Sequence, residues 1–263
     1  MRRGDIERDE VLELLASLVD KSLVLVAERD GEARYRLLET IRQYGLEKLE
    51  EGGEAGQMRG RHAAWFLSLA ERAESELKGH QQVAWLARLE REHDNLRVAM
   101  RWLLEEGETD TAVRLAWALW LFWRVHGYQG EGYRYTGETL EAGDALSTVV
   151  RAKALCVRGL MSYGIESIEG TERLWEQSAA LFRQTKDTFG LALTMGGLSA
   201  MALAQGDLDR STALFEETMD LYRKIENRWG VGSVLSHQGV IPLSRGEHER
   251  AARYFEEALA ISR

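Results

Sequence analysis

Proline and cysteine are almost missing from this 263-residue chain: Pro242 and Cys156 are single occurrences. One thiol excludes an internal disulfide, and no Cys/His spacing of a zinc site occurs. That cysteine usage fits a reducing compartment, so a cytoplasmic location is expected. The opening "MRRGDIERDE" lacks the apolar core of a signal peptide. The longest apolar run, "LAWALWLFW" at 115–123, falls well short of the roughly 20 residues a membrane span needs. Flanked by Arg114 and Arg124, it reads as a buried helix, and no membrane partner is expected. A basic excess is also lacking. The net charge of -9 argues against a protein built to coat nucleic acid. No Gly-Lys pair occurs anywhere, so the Gly-rich turn plus lysine that cradles phosphates is absent. None of His62, His80, His93, His126, His237 and His248 forms H-E-x-x-H, and no Ser or Cys sits in a nucleophile elbow. Catalysis, a metal and a bound cofactor are therefore not expected of this chain.

What remains is a sequence dominated by helical periodicity. Residues 9–20, "DEVLELLASLVD", space Val11, Leu12, Leu14, Leu15, Leu18 and Val19 as a helix, with Asp9 as its N-cap. Leu23, Val24, Leu25 and Val26 read as a strand. "RDGE" at 29–32 predicts a hairpin turn, because Asp-Gly tolerates positive φ. On the return strand Tyr35 and Leu37 are expected to point inward and Arg34 and Arg36 outward. Thr40 with Gln43 three residues on predicts a capping box opening a helix, with Ile41, Tyr44 and Leu49 inward. Helix, strand, turn, strand and helix make the second half of a winged helix, expected over 1–54. A Gly/Glu linker, "EEGGEAGQ" at 50–57, follows. A helical connector is expected over 55–107, with helices at 58–77 and 82–105 and a break at Gly107.

From about 109 the chain repeats. At an offset of 40, Gly190 matches Gly230, Gly206 matches Gly246, Phe215 matches Phe255 and Leu221 matches Ile261. One step earlier Trp175 takes the place of Phe215. A weaker copy turns at Gly127, between helices near 109–126 and 130–142. Each copy is a helix, a Gly-centred turn and a second helix. The pattern resembles the tetratricopeptide (TPR) repeat, in which small residues let two helices approach and an aromatic fills the hole between repeats. The fold expected is mainly α: an α-solenoid of TPR-like hairpins over 108–263, preceded by a small partial winged helix. Pro242, in the last turns of a first helix, predicts a kink.

"LLASLVDKSLV" (14–24), "RYRLLETIRQYGLEKL" (34–49), "RHAAWFLSLAERAE" (61–74) and "EREHDNLRVAMRWLLEEG" (90–107) occur in an order similar to that of large bacterial regulators. The chain thus resembles the winged-helix and TPR-sensor portion of STAND-class signalling ATPases, including LuxR-type and AfsR-type transcriptional regulators and the maltose regulator MalT. The resemblance implies a sensor and scaffold that binds a protein, peptide or small effector in its solenoid. It also implies an upstream nucleotide-binding domain, outside this sequence, where ATP or ADP and Mg would bind. The chain is accordingly expected to be a portion of a longer protein. Gly45 stands inside a helix where the family usually has alanine.

Two other readings stay open: a stand-alone TPR adaptor, and a nucleic-acid binder using scattered arginines. Direct DNA contact by the 9–20 helix is not expected, since Asp9, Glu10, Glu13 and Asp20 would repel phosphate. In TPR arrays the first helix of each repeat faces the concave surface. Helical counting places Arg114, Trp117, Leu121 and Arg124 there, then Lys153, Cys156, Leu160 and Tyr163. Leu193, Gly196 and Ala200 follow, and then Ser233 and Ser236. Cations beside aromatics in the early repeats suit an acidic peptide or small anion. Core packing is the competing account of Trp117, Trp120 and Trp123, as it is of Cys156.

Overall fold

The computed structural model describes residues 8–29, 32–141 and 145–262. Two compact units divide the chain, Met1–Arg61 and His62–Arg263.

The first unit contains α1 (Arg8–Asp20), β1 (Val24–Arg29), β2 (Glu32–Leu37) and α2 (Glu39–Glu51). β1 and β2 pair antiparallel with Val24 opposite Leu37 and Val26 opposite Tyr35. The Asp9 side chain and the Asp30-Gly31 turn lie outside the described residues. α1 packs on β1, and Val24 is the one buried residue described between Glu10 and Glu54. Three inward placements are corrected here: Tyr35, Leu37 and Tyr44 are exposed, Tyr44 at 58%, whereas Arg34 is half-buried. A two-stranded sheet covered from one strand leaves its second strand open on both faces. The capping box does not form either. Leu38 occupies the N-cap without a side-chain bond, and Glu39 instead accepts from the Arg42 guanidinium at 2.9 Å.

The second unit opens within α3 (Ala55–Glu76), whose Ala63, Phe66, Leu67, Leu69 and Ala70 are buried as their spacing predicts. The helix expected over 82–105 is two, α4 (Gln82–Arg91) and α5 (His93–Glu105). The Glu92 N–H is shared between the carbonyls of Arg88 and Leu89, which tightens the turn there. Just beyond, buried His93 meets the Glu131 carboxylate at 2.9 Å. The Arg97 Nε–H donates to the same carboxylate at 2.8 Å.

Four helical hairpins follow: α6 (Thr109–His126) with α7 (Gln129–Leu140), α8 (Thr148–Met161) with α9 (Ile168–Thr185), α10 (Thr188–Ala204) with α11 (Leu208–Lys224), and α12 (Arg228–Gln238) continued by α13 (Val240–Ser244) with α14 (His248–Ser262). The first helices pack side by side in order, α6 on α8, α8 on α10 and α10 on α12. α10 and α11 each run 17 residues, which accounts for a period longer than the commonest of about 34. Gly206 and Gly246 close their hairpins at φ of 79° and 76°, a conformation that costs other residues energy. Gly190 and Gly230 answer a different need. A Cβ would come within 2.4 Å of Phe182 at the first and 2.3 Å of Tyr222 at the second. Asp187 and Asn227 cap the helices that contain them, accepting from the Gly190 and Gly230 N–H groups at 2.8 and 2.7 Å.

Trp175 and Phe215 are buried between repeats as predicted, but Phe255 in the last described repeat keeps 37% exposure. Pro242 has no N–H for the Gln238 carbonyl, and the helix divides at Gly239 between α12 and α13. Every residue from Leu115 to Trp123 is buried, so the long apolar run is the axis of this unit's core.

Candidate functional site

The first helices of the hairpins bring their inner faces together, and the array curls until its ends meet. Trp120 on α6 reaches Trp229 on α12, ring centroids 6.0 Å apart. Trp117 lies edge-on to Phe182 and Phe189 at 6.1 and 6.2 Å. The Lys78 ammonium sits 4.6 Å from the Phe189 ring and 5.9 Å from that of Trp229. These aromatics divide the concave side in two. One hollow, of about 610 Å³, is bounded by charged Glu71, Glu74, Lys78 and Arg228 together with Phe189 and Trp229.

The other, of about 820 Å³, lies toward the hairpin turns. α6 lends Trp120, Leu121 and Arg124 to its wall, and α8 lends Gly159 and Leu160. Leu193, Gly196, Gly197 and Ala200 come from α10, and Trp229, Ser233 and His237 from α12. Trp175 of α9 forms the back. Two of the wall glycines, Gly159 and Gly197, make room for that indole. A Cβ would stand 2.9 Å from Trp175 at Gly159 and 2.6 Å at Gly197. At Gly196 the nearest atom to an added Cβ would be the Thr218 methyl, at 3.7 Å, ordinary contact.

Polar groups gather at the mouth. The Glu166 carboxylate accepts from the Tyr133 hydroxyl at 2.5 Å and the Ser167 N–H at 3.1 Å, and the first of these bonds chiefly holds its pKa low. His237 Nδ1 lies 2.8 Å from the Ser233 carbonyl, so that nitrogen carries the hydrogen. Arg124 is exposed and has no carboxylate partner among the described residues. The Trp120 indole N–H is buried without a partner, in a residue only 3% exposed.

Of the eight residues counted onto the concave face of the two early repeats, Leu121, Arg124, Leu160 and Tyr163 line this cavity. Tyr163 stands 90% exposed at its rim. The other four do not reach it. Arg114 is bound to Glu71 by two bonds of 2.9 and 2.6 Å. Trp117 is buried, with the Lys153 ammonium 5.0 Å from its ring. Cys156 is wholly buried, its thiol pushed up to about 12 by burial. Trp117 packs edge-on to Phe182 and Phe189, and α6 and α8 line the cavity only near their C-terminal ends. Leu193, Gly196, Ala200 and Ser233 line the cavity, while exposed Ser236 bonds the Gly232 carbonyl instead. Helical counting misses Trp175, which comes from a second helix, and Trp229, which comes from a helix start. His237, four residues after Ser233, was within reach of the spacing.

Among the described residues no group of three or more His, Cys, Asp or Glu could hold a metal ion, and no helix is long and apolar enough to cross a membrane. Residues 1–50 match the winged helix-turn-helix domain, and residues 190–263 match the tetratricopeptide repeat. The chain joins a winged helix to tetratricopeptide repeats. It is homologous to a protein of Mycobacterium tuberculosis H37Rv described as an HTH-type transcriptional regulator, with 36% identity over 208 residues. That alignment covers 75% of this chain and 23% of the relative, so the chain spans about a quarter of the length of such relatives. An uncharacterized protein of the same organism is 48% identical over 58 residues, 22% of this chain and 15% of that one. Among solved structures, a Signal Transduction ATPase with Numerous Domains (STAND) protein with a tetratricopeptide repeat sensor, from Pyrococcus horikoshii, has the same fold. It superposes with a TM-score of 0.50 at 14% identity, over 97% of this chain and 46% of that one.

Proposed function

We propose that this chain is the effector-sensing part of a transcriptional regulator of the STAND kind, and that it works by binding rather than by catalysis. The observation that carries the reading is the cavity of about 820 Å³ enclosed by the curled repeats. Its size and apolar walls suit one small molecule. Because Trp120 and Trp229 meet across it, an occupant touches the first and last hairpins at once. Such a ligand favours the curled arrangement over a more open one by its difference in affinity for the two. That change in curl is the signal, passed to a nucleotide-binding domain elsewhere in the protein, where ATP or ADP and Mg would act. A cytoplasmic location accords with this role. The adaptor reading, in which an extended peptide lies along the groove, is disfavoured by the aromatic partition that interrupts it.

The test is thermal unfolding with the small-molecule fraction of a bacterial extract. A rise in the second unit's melting temperature for the natural chain, absent in Gly196→Leu, is the expected result. Equal shifts in both proteins would remove the cavity from the effector's site.

A further inference from the structure

The geometry points to the class of molecule the cavity takes: a compact, rigid apolar body carrying one carboxylate, with the carboxylate at Arg124 and the body against Trp120 and Trp175. This rests on the reading of the cavity as the effector site. The first argument is charge. Acidic residues outnumber basic ones by 43 to 34 in this chain, and several arginines of this unit have anionic partners. Arg97 has Glu131, Arg101 has Glu138, Arg114 has Glu71 and Arg210 has Glu172. Arg124, on the cavity wall, has none among the described residues. The wall's own carboxylate, Glu166, accepts from Tyr133 and Ser167 and is bonded to neither Arg124 nor Trp120. Arg124 is thus a charged donor on the wall without a carboxylate of its own, and an occupant that brings one completes it.

The second argument is polarity by depth. Arg124 is exposed at the mouth, and Trp120, one turn earlier on the same helix, is buried with its N–H unpaired. Leu160, Leu193 and Phe215 continue the apolar wall inward. An amphipathic acid has that polarity. The third argument is Gly196. A glycine inside a helix is unfavourable by about 1 kcal/mol relative to alanine, and no neighbouring packing requires this one. Its effect is to leave the cavity wall bare where a rigid body would lie.

Naphthalene-2-carboxylate and naphthalene-2-carboxamide share one body and differ in charge, so titrating each into the full chain by calorimetry separates the arguments. The carboxylate should bind about tenfold more tightly than the carboxamide, as a charge-assisted bond at a partly wet site allows. Arg124→Gln should erase that difference by weakening the carboxylate far more than the carboxamide. Gly196→Leu should abolish binding of both, and Ala200→Leu, one turn along the same wall, should do the same if the first variant folds poorly. Circular dichroism melts report folding for each variant. Equal affinity for the two probes, or full carboxylate affinity in Arg124→Gln, overturns the assignment of an acid and leaves the cavity reading intact. Undiminished binding in both wall-filling variants, or no binding of either probe to the natural chain at millimolar concentration, overturns the cavity reading itself.

Discussion

Gly196 and Gly197 are adjacent in α10, yet the structure assigns them opposite consequences. Trp175 lies where a Gly197 side chain would begin, 2.6 Å from the added Cβ, and an indole locked in the core cannot step aside. Gly197→Ala should therefore destabilise the second unit by about 1–3 kcal/mol. Gly196→Ala meets only the Thr218 methyl at 3.7 Å and should stabilise it by about 0.5–1 kcal/mol. Urea midpoints of the two variants check this directly, and a shared sign would refute it. His93 gives the same unit a pH dependence. Burial pushes its pKa below the ordinary value, and the Glu131 carboxylate only partly opposes that. The unfolded chain then binds the proton more readily than the folded one. Stability is fully present above the unfolded pKa of about 6.5 and is lost as pH falls through the lower folded value. Denaturant midpoints should drop between pH 7 and pH 5, with a smaller drop in His93→Gln. His62, lowered by desolvation, adds in the same direction and accounts for a residual slope.

At the scale of elements, helix ends mark where local sequence holds and where it yields. The Asn227 side-chain Oδ1 accepts from the Gly230 N–H at 2.7 Å, and Asp187 repeats the arrangement 40 residues earlier. Asn227→Ala should cost about 1 kcal/mol, measured as a lowered urea midpoint, because the first turn of α12 then loses its acceptor. A cost near zero would mean that the packing of Trp229 and Gly230 alone fixes that end. These caps were readable in principle, since Asp or Asn stands three residues before a glycine that the repeat alignment singles out. The Thr40–Gln43 pair also had the form of a cap, but the N-cap falls two residues earlier, at Leu38. The division of α4 from α5 was not readable. It lies beside the bonds among His93, Arg97 and Glu131, whose partners come from helices 34 and 38 residues apart. Pro242 was the contrary case: the break follows from a missing donor, which is a property of the residue itself.

As a whole molecule, the chain carries two units of very different solidity. The second has a continuous core running from α3 through α10, whereas in the first Val24 is the one buried residue described between Glu10 and Glu54. Thermal unfolding should accordingly show two transitions, the first unit melting at lower temperature with a small enthalpy, since apolar burial scales both. Calorimetry with hydrogen exchange resolves them, and a single transition with uniform protection would overturn the expectation. Sequence alone determined the helical class, the 40-residue repeat, the turn glycines, the buried run at 115–123 and the order of winged helix before repeats. Each of these is written in local periodicity, in backbone freedom at particular residues, or in side chains that recur at one spacing. Tertiary structure alone decided which part of the concave face is open. Helical counting places Trp117 and Trp120 without saying how tightly successive hairpins wind. The small rotation between neighbours, summed over four hairpins, brings Trp120 to Trp229 and buries Trp117 against Phe182. Half of the face counted on the two early repeats is thereby closed, and Arg124 is left at the mouth of a cavity that no single helix specifies.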